Sequence, residues 1–284
     1  MRPWSFVMTA MSCALAGALA YLAGSFDASI FAVTLLGLVA AHGATNLLND
    51  YFDVRRGVDR EGAPTARYRP HPYLRGQLQV TSLLASTLVL YLLAWLAAAY
   101  LSSIRGPLVV ALGVAGTFFS VFYTMTPIQM KYRAFGEPAV FLAWGPLMTA
   151  GVYYVLTGGL SFGVLFASVP LGLFVALVLM ANNIRDIEYD ASSGIATIPV
   201  LLGRRAALQL FSFLLSLIYA WPALGVALGF SPWSLLPLLT TWKAFRLLRD
   251  FRARVPDDAD PRTASLLLQY VSLYILGLLL GGLL

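Results

Sequence analysis

Apolar stretches long enough to cross a bilayer recur along this chain, at roughly residues 4–24, 28–48, 79–101, 107–126, 137–157, 162–183, 207–229, 231–247 and 264–284. A hydrocarbon core about 30 Å thick needs about 20 consecutive apolar residues of helix to span it, with every backbone N–H and C=O satisfied inside the segment. The pattern predicts an all-α integral membrane protein of nine transmembrane helices. Composition agrees, with 59% hydrophobic residues, 11% charged residues and a mean hydropathy of +0.77, far from soluble averages. No Ser- or Pro-rich linker divides the sequence, so residues 1–284 are read as one transmembrane domain.

The basic residues orient that domain. Of 19 Lys and Arg, all but Arg105 fall at the N-terminus or in and after the second, fourth, sixth and eighth predicted helices. The positive-inside rule therefore predicts a cytoplasmic N-terminus and an external C-terminus, in the cell inner (plasma) membrane. A net charge of +6 then reflects orientation and contact with anionic headgroups, and no nucleic-acid partner is expected. Cys13 is the only cysteine, which excludes an intrachain disulfide and a Cys-based metal site.

Two polar segments, 49–78 and 182–206, lie on the predicted cytoplasmic side, whereas the outward turns near Asp27, Arg105, Gly158 and Ser231 are short. Long polar loops gathered on one face point to function there. Asn49 and Asp53 share their spacing with Asn182 and Asp186, so a duplication with parallel repeats is expected, each half delivering one motif. His42, Asn46, Asn49, Asp50 and Asp53 fall on one helical face, and Asn182, Asp186 and Asp190 form a second stripe at i, i+4, i+8.

Carboxylates at the edge of a membrane segment are costly and mark functional sites facing the bundle interior. Asp and Asn also end helices, and Arg55, Arg56 and Arg185 could pair with them, but two clusters of matching spacing argue against capping alone. Oxygen-rich ligands without Cys favour Mg²⁺, which is usually shared between one or two carboxylates and a phosphate group. A diphosphate is the expected third party, with Lys131, Arg133 and Arg185 as candidate cationic contacts. Near a bilayer this suggests a lipid diphosphate whose allylic C–O bond breaks in a dry, aromatic-lined cavity. Phe118, Phe119, Phe122, Tyr123, Tyr153 and Tyr154 are candidates to line it.

The runs Asn46-Leu-Leu-Asn-Asp-Tyr-Phe-Asp53-Val-Arg-Arg-Gly-Val-Asp59 and Asn182-Asn-Ile-Arg-Asp-Ile-Glu-Tyr-Asp190 closely resemble the two aspartate-rich motifs of the UbiA superfamily of intramembrane prenyltransferases. The doubled Asn before Ile-Arg-Asp, together with Phe122-Tyr123-Thr124 and Lys131-Tyr-Arg-Ala-Phe-Gly-Glu137, is similar to the menaquinone branch, the 1,4-dihydroxy-2-naphthoate prenyltransferases. The resemblance covers residues 40–205. It implies a nine-helix UbiA-type bundle, a prenyl diphosphate held by Mg²⁺, with two ions expected, and alkylation of an aromatic ring with loss of the naphthoate carboxylate. It assigns metal and diphosphate roles to Asn49, Asp53, Asp186 and Asp190, supported by Asp50, Asp59 and Asn182. Asp53, Asp186 and Lys131 are then the expected catalytic residues, and Asn49, Asn182, Arg133, Arg185 and Tyr123 the expected substrate contacts.

Two departures stand out. Many relatives carry a basic residue before the Thr that follows the second motif, where this chain has Ala196-Thr197. The segment 67–75 is richer in Arg and aromatics than is usual, and could cap the site or lie on the membrane. Two alternatives remain open: a UbiA-type enzyme with another acceptor (4-hydroxybenzoate, homogentisate, haem or a glyceryl phosphate), or an ion-coupled transporter.

Overall fold

The computed structural model describes residues 5–60, 73–74 and 76–281. Among them there is no strand, only one isolated bridge between Arg133 and Ala196. The helices are α1 (Phe6–Leu22), α2 (Ala28–Arg55), α3 (Val80–Arg105), α4 (Leu108–Phe122), α5 (Gly136–Thr157), α6 (Phe162–Arg185), the short α7 (Ile187–Ser192), α8 (Ile198–Ala227), α9 (Thr241–Ala253) and α10 (Ala259–Gly281). Six of these, α2, α3, α5, α6, α8 and α10, are long and apolar enough to cross a membrane, while α1 and α4 are shorter apolar helices. The stretch expected to span at 231–247 divides instead into a 3₁₀ segment, Pro232–Thr240, and α9. Pro237 inside that segment has no N–H to give an α-helical ladder.

Local chemistry sets the boundaries. Asp27 starts α2 by accepting the N–H groups of Ser29 and Ile30 at 2.8 and 2.9 Å, and Ser161 starts α6 by accepting that of Val164 at 3.2 Å. Thr197 caps α8 through the Val200 N–H at 3.4 Å, with Pro199 in its first turn. The segment 182–206, expected to be a loop, is therefore largely helical: it holds the end of α6, all of α7 and the first turns of α8 up to a break at Gly203. An apolar-run criterion misses such short helical turns because it sees only runs long enough to span a bilayer.

α6 is the centre of the bundle. Phe174, Leu177 and Met180 on it are almost fully buried, and it packs against α1, α5, α8 and α10. Gly145 and Gly172 let α5 and α6 meet backbone to backbone, since a Cβ on Gly145 would lie 2.9 Å from the Gly172 Cα. Gly145 sits in a π-helical turn, Ala143–Leu147, where Pro146 interrupts the regular ladder. α3 is the opposite case: Leu88, Leu92 and Leu96 are exposed by 70%, 56% and 57%, an apolar face suited to hydrocarbon. At the end of the bundle away from the motifs, Arg105 donates to the carbonyls of Val155 and Leu156, both at 2.7 Å.

Candidate active site

The last turns of α2 carry Asn46, Asn49, Asp50 and Asp53, all buried. Beyond α2 the chain turns back on itself at Gly57, whose φ of 73° suits glycine. The N–H groups of Val58 and Asp59 then donate to the Asp53 carbonyl at 2.8 and 3.1 Å, which satisfies an orphan helix-end acceptor and buries Asp59 beside the motif. The Asp53 carboxylate, fully buried, accepts Lys131 Nζ at 2.6 Å on one oxygen and the Tyr132 hydroxyl at 2.7 Å on the other. Asn49 accepts the Thr124 hydroxyl at 3.1 Å.

The second motif spans the junction of α6 and α7. Asp186 leaves helical geometry, yet its N–H still donates to the Asn182 carbonyl at 3.1 Å and the Asp190 N–H to the Asp186 carbonyl at 2.8 Å. The i, i+4, i+8 stripe thus survives the break. Arg185 grips both Asp186 carboxylate oxygens at 2.7 Å, a fork-to-fork pair. The same guanidinium donates to Asn182 Oδ1 at 2.8 Å, to Asp260 Oδ1 at 2.6 Å and to the Asp257 carbonyl at 2.9 Å.

The motifs and the α4–α5 connection interlock. Tyr189 of α7 donates its hydroxyl to the Val58 carbonyl at 2.6 Å, and Ala196 donates its N–H to the Tyr132 carbonyl at 3.1 Å. Val58, Tyr132 and Ile195 form a small apolar cluster under these bonds. Electrostatics report the same proximity. The Asp190 carboxyl is pushed up to about 7, first by burial and next by the neighbouring Asp186 carboxylate, with Asp53 adding to the rise and Lys131 and Arg185 opposing it. Asp186 is also raised, by burial above all, against the pull of Arg185.

These groups stand at one end of a partly open cavity of about 360 Å³ lined mainly by α2 to α6, with Met8 of α1, Tyr189 of α7 and Asp260 of α10. Asn49, Asp59, Lys131, Asn182, Asp186 and Asp190 stand at that end. At the other end lie Thr34, Leu101, Val109 and Val155, and Thr34 to Asn49 along α2 is about 22 Å of helix. Small residues such as Gly37, Ala94, Ala98, Gly113, Gly116 and Gly151 leave the space between. A charged mouth leading into a long apolar chamber suits an amphiphile with an anionic head.

A family model described as the UbiA prenyltransferase family matches residues 10–280. The chain belongs to the UbiA prenyltransferase family. It is 32% identical over 285 residues to a Xenopus tropicalis protein named UbiA prenyltransferase domain-containing protein 1, covering 99% of this chain and 81% of that one. The Homo sapiens protein of that name is 32% identical over 286 residues, covering 99% and 82%. Among solved structures, the fold is similar to that of a UbiA homolog from Aeropyrum pernix K1, with a TM-score of 0.73 at 20% identity over 96% of this chain and 97% of that one. It is similar also to a UbiA homolog from Archaeoglobus fulgidus bound to GPP and Mg²⁺, with a TM-score of 0.64 at 15% identity over 95% and 99%.

In this prenyltransferase-family chain the expected site residues separate into groups. Asn49, Asp59, Tyr123, Lys131, Asn182, Asp186 and Asp190 all reach the cavity. Asp53 lies just behind Lys131, and Asp50 is buried without bordering the cavity. Two of the expected substrate contacts, Arg133 and Arg185, do not border the cavity. The Arg133 side chain is exposed, while its backbone bridges to Ala196. Arg185 points to Asp186 and Asp260 rather than into the chamber, since two buried carboxylates hold its fork.

Of the six aromatic candidates only Phe119 and Tyr123 line the chamber; Phe118 is 42% exposed, Tyr153 is in the main core and Tyr154 donates to the Arg105 carbonyl. Tyr91, Trp95 and Trp144 line it instead. Asp260, also on the cavity, escaped the sequence reading; the acidic run Asp257-Asp258-Ala-Asp260 near the second motif's side was its one signal. Most of the segment 67–75 lies outside the described residues.

Proposed function

We propose that this chain is a Mg²⁺-dependent integral membrane prenyltransferase that moves a polyprenyl group from its diphosphate to an aromatic acceptor, 1,4-dihydroxy-2-naphthoate, with loss of the carboxylate. The observation that carries this reading is the meeting of two carboxylate motifs, with one lysine, at the mouth of a long apolar cavity. The donors suit Mg²⁺. Oxygen donors of Asn49, Asp59, Asn182, Asp186 and Asp190 stand together at the cavity mouth, and Mg²⁺ takes oxygen ligands and is characteristically completed by substrate phosphates and water. The raised Asp190 carboxyl is a second fitting feature, because a buried acid beside another acid needs a cation to ionise fully.

In this reading Asn49, Asp53, Asp59, Asp186 and Asp190 would hold two Mg²⁺ ions, whose charge would stabilise the diphosphate as a leaving group. Lys131 turns from Asp53 to a diphosphate oxygen, and Asn182 donates its amide to the same head group. Arg185 keeps Asp186 aimed at the mouth while Asp260 keeps Arg185 in place. The prenyl tail occupies the apolar chamber, and Trp144, Phe119 and Tyr123 exclude water from the reacting carbon. The naphthoate acceptor rests on the motif details shared with the menaquinone branch, and the homolog bound to GPP and Mg²⁺ supports the donor side. The nine spans comprise the six long helices, α1, α4 and the segment from Pro232 into α9, forming one domain with the motifs at the cytoplasmic face of the inner (plasma) membrane.

Purified protein given geranyl diphosphate, Mg²⁺ and equal dihydroxynaphthoate and 4-hydroxybenzoate should yield the prenylated naphthalene lacking its carboxylate, with CO₂ and pyrophosphate in equal amounts. Exclusive prenylation of 4-hydroxybenzoate would reassign the acceptor, and no pyrophosphate release with any acceptor would overturn the enzyme reading.

A further inference from the structure

Two turns deeper than Asn49 on α2, about 10 Å along the helix, the cavity wall carries a second polar group of side chains that the diphosphate chemistry leaves unused. His42 is its centre and is buried. Its Nδ1 lies 2.8 Å from the Thr9 hydroxyl and its Nε2 3.2 Å from the Ser5 hydroxyl. Asn46 donates its amide to Ser5 Oγ at 3.1 Å, and Trp144 donates Nε1–H to Thr9 Oγ1 at 3.2 Å. The rings of Phe6 and Trp144 meet the imidazole edge to face, at 5.0 and 5.2 Å between centroids. Ser5, His42, Asn46 and Trp144 all border the cavity, whereas Thr9 lies fully buried behind them.

The bond directions give this cluster a polarity. Ser5 Oγ accepts from Asn46 and Thr9 Oγ1 from Trp144; with the imidazole proton on Nδ1 and donated to Thr9, Nε2 is left to accept the Ser5 hydroxyl hydrogen. In that tautomer the acceptor nitrogen of the ring meets the Ser5 hydroxyl, which itself borders the cavity. A titratable ring within a transmembrane helix is costly to keep, and one that addresses a substrate cavity through a hydroxyl has a use beyond packing. Its distance from the motif end suits a flat ring whose reacting carbon lies near the diphosphate and whose hydroxyl points away from it.

We propose that the notch formed by Ser5, His42, Asn46 and Trp144 receives the ring hydroxyl of the aromatic acceptor, and that Ser5 passes the hydroxyl proton to His42. The proposal rests on the prenyltransferase reading above. Ser5 Oγ takes the acceptor's O–H proton as it gives its own to Nε2, leaving a phenolate. The phenolate drives the neighbouring ring carbon to bond with C1 of the prenyl group as the C–O bond breaks and its electron pair leaves with the diphosphate. Where that ring carbon bears a carboxylate, the C–C bond to it breaks as CO₂ departs, the pair restores the aromatic ring, and His42 returns the proton to the oxygen through Ser5. Where it bears hydrogen, that proton leaves with the diphosphate. Trp144 stacks on the ring, and Asn46 holds the Ser5 hydroxyl in register.

The test uses full-length His42→Gln and Ser5→Ala protein in detergent, with geranyl diphosphate, Mg²⁺ and dihydroxynaphthoates whose ring substituents lower the hydroxyl pKa stepwise. Expected for His42→Gln is a fall in kcat of about 10²-fold, the usual scale of proton-transfer catalysis, with geranyl diphosphate affinity unchanged. The deficit should shrink as the acceptor hydroxyl becomes more acidic, because an acceptor already ionised needs no base. A His42→Gln rate within about threefold of wild type, or a deficit that stays constant across the series, overturns the relay. If His42→Gln also loses geranyl diphosphate binding, Ser5→Ala decides by the same two criteria. Wild-type protein that prenylates no hydroxylated aromatic overturns the function reading itself, whereas the relay alone falls when wild type turns over and both variants match it.

Discussion

The two aspartate-rich motifs share their spacing but not the way their charge is held. Asp53 is paired with Lys131, a residue 78 positions away on another connection, with a side chain still 23% exposed. Asp186 is paired with its own neighbour Arg185, whose side chain is only 7% exposed and which also holds Asp260, Asn182 and the Asp257 carbonyl. Lysine is a compact charge on a flexible stem, while arginine is a rigid fork that commits several donors at once. One half therefore carries a cation able to turn toward an incoming diphosphate, and the other a cation that fixes a carboxylate in place. Equal motif spacing thus conceals a mobile half and a clamped half.

That contrast can be attacked from several sides. The largest expected effect is on turnover: Asp53→Asn and Asp186→Asn should each lower kcat/KM for geranyl diphosphate by about 10³-fold, since each removes an anion essential for stabilising the leaving group. A rate near wild type in either variant would remove that half from the site. Next comes stability. Arg185→Ala leaves Asp186 and Asp260 buried without their shared cation and should destabilise the fold by about 3–5 kcal/mol. Lys131→Ala should cost less in thermal unfolding, because the Tyr132 hydroxyl still donates to the buried Asp53, and mainly weaken diphosphate binding, by roughly 1.5–3 kcal/mol for a lost charged hydrogen bond. Equal losses of stability in the two variants would break the distinction between mobile and clamped halves.

A smaller effect concerns pH. With its carboxyl pushed up to about 7, Asp190 carries a proton below that value, and the proton competes with a cation for the same oxygens. Apparent Mg²⁺ affinity should fall as the pH is lowered from about 8 to about 6, and Asp190→Asn should flatten that dependence, as read by Mg²⁺ titration of turnover. The smallest effect is expected at Arg133, whose exposed side chain stands off the cavity: Arg133→Ala should change turnover by less than about twofold, a typical outcome for a surface substitution.

How much of this could be read from the chain alone differs between the same two regions. Asn49, Asp53, Asn182 and Asp186 are legible because repeated spacing and shared sidedness need no tertiary knowledge. Arg185 was legible as a residue but not as a clamp, because its partner Asp260 comes from the first turn of α10 and belongs to no repeat. Phe118 and Phe119 are neighbours on a helix apolar on every side, so periodicity could not tell that one faces outward and the other the cavity. The chamber itself was invisible for a related reason: Gly113 and Gly116 mark absent volume only once α3 is known to lie opposite them. The turns of α8 before Gly203, Ile198-Pro-Val-Leu-Leu202, are apolar but too short to stand out as a helix between the polar second motif and Arg204-Arg205.

Electron paramagnetic resonance of Mn²⁺, used in place of Mg²⁺, tests most directly whether the two motifs make one site. In wild-type protein, geranyl diphosphate should convert free Mn²⁺ to a protein-bound signal, and Asp53→Asn and Asp186→Asn should each abolish that conversion although their mutated residues belong to different halves. Mn²⁺ bound with wild-type affinity by either variant in the presence of geranyl diphosphate would contradict a shared metal–diphosphate site.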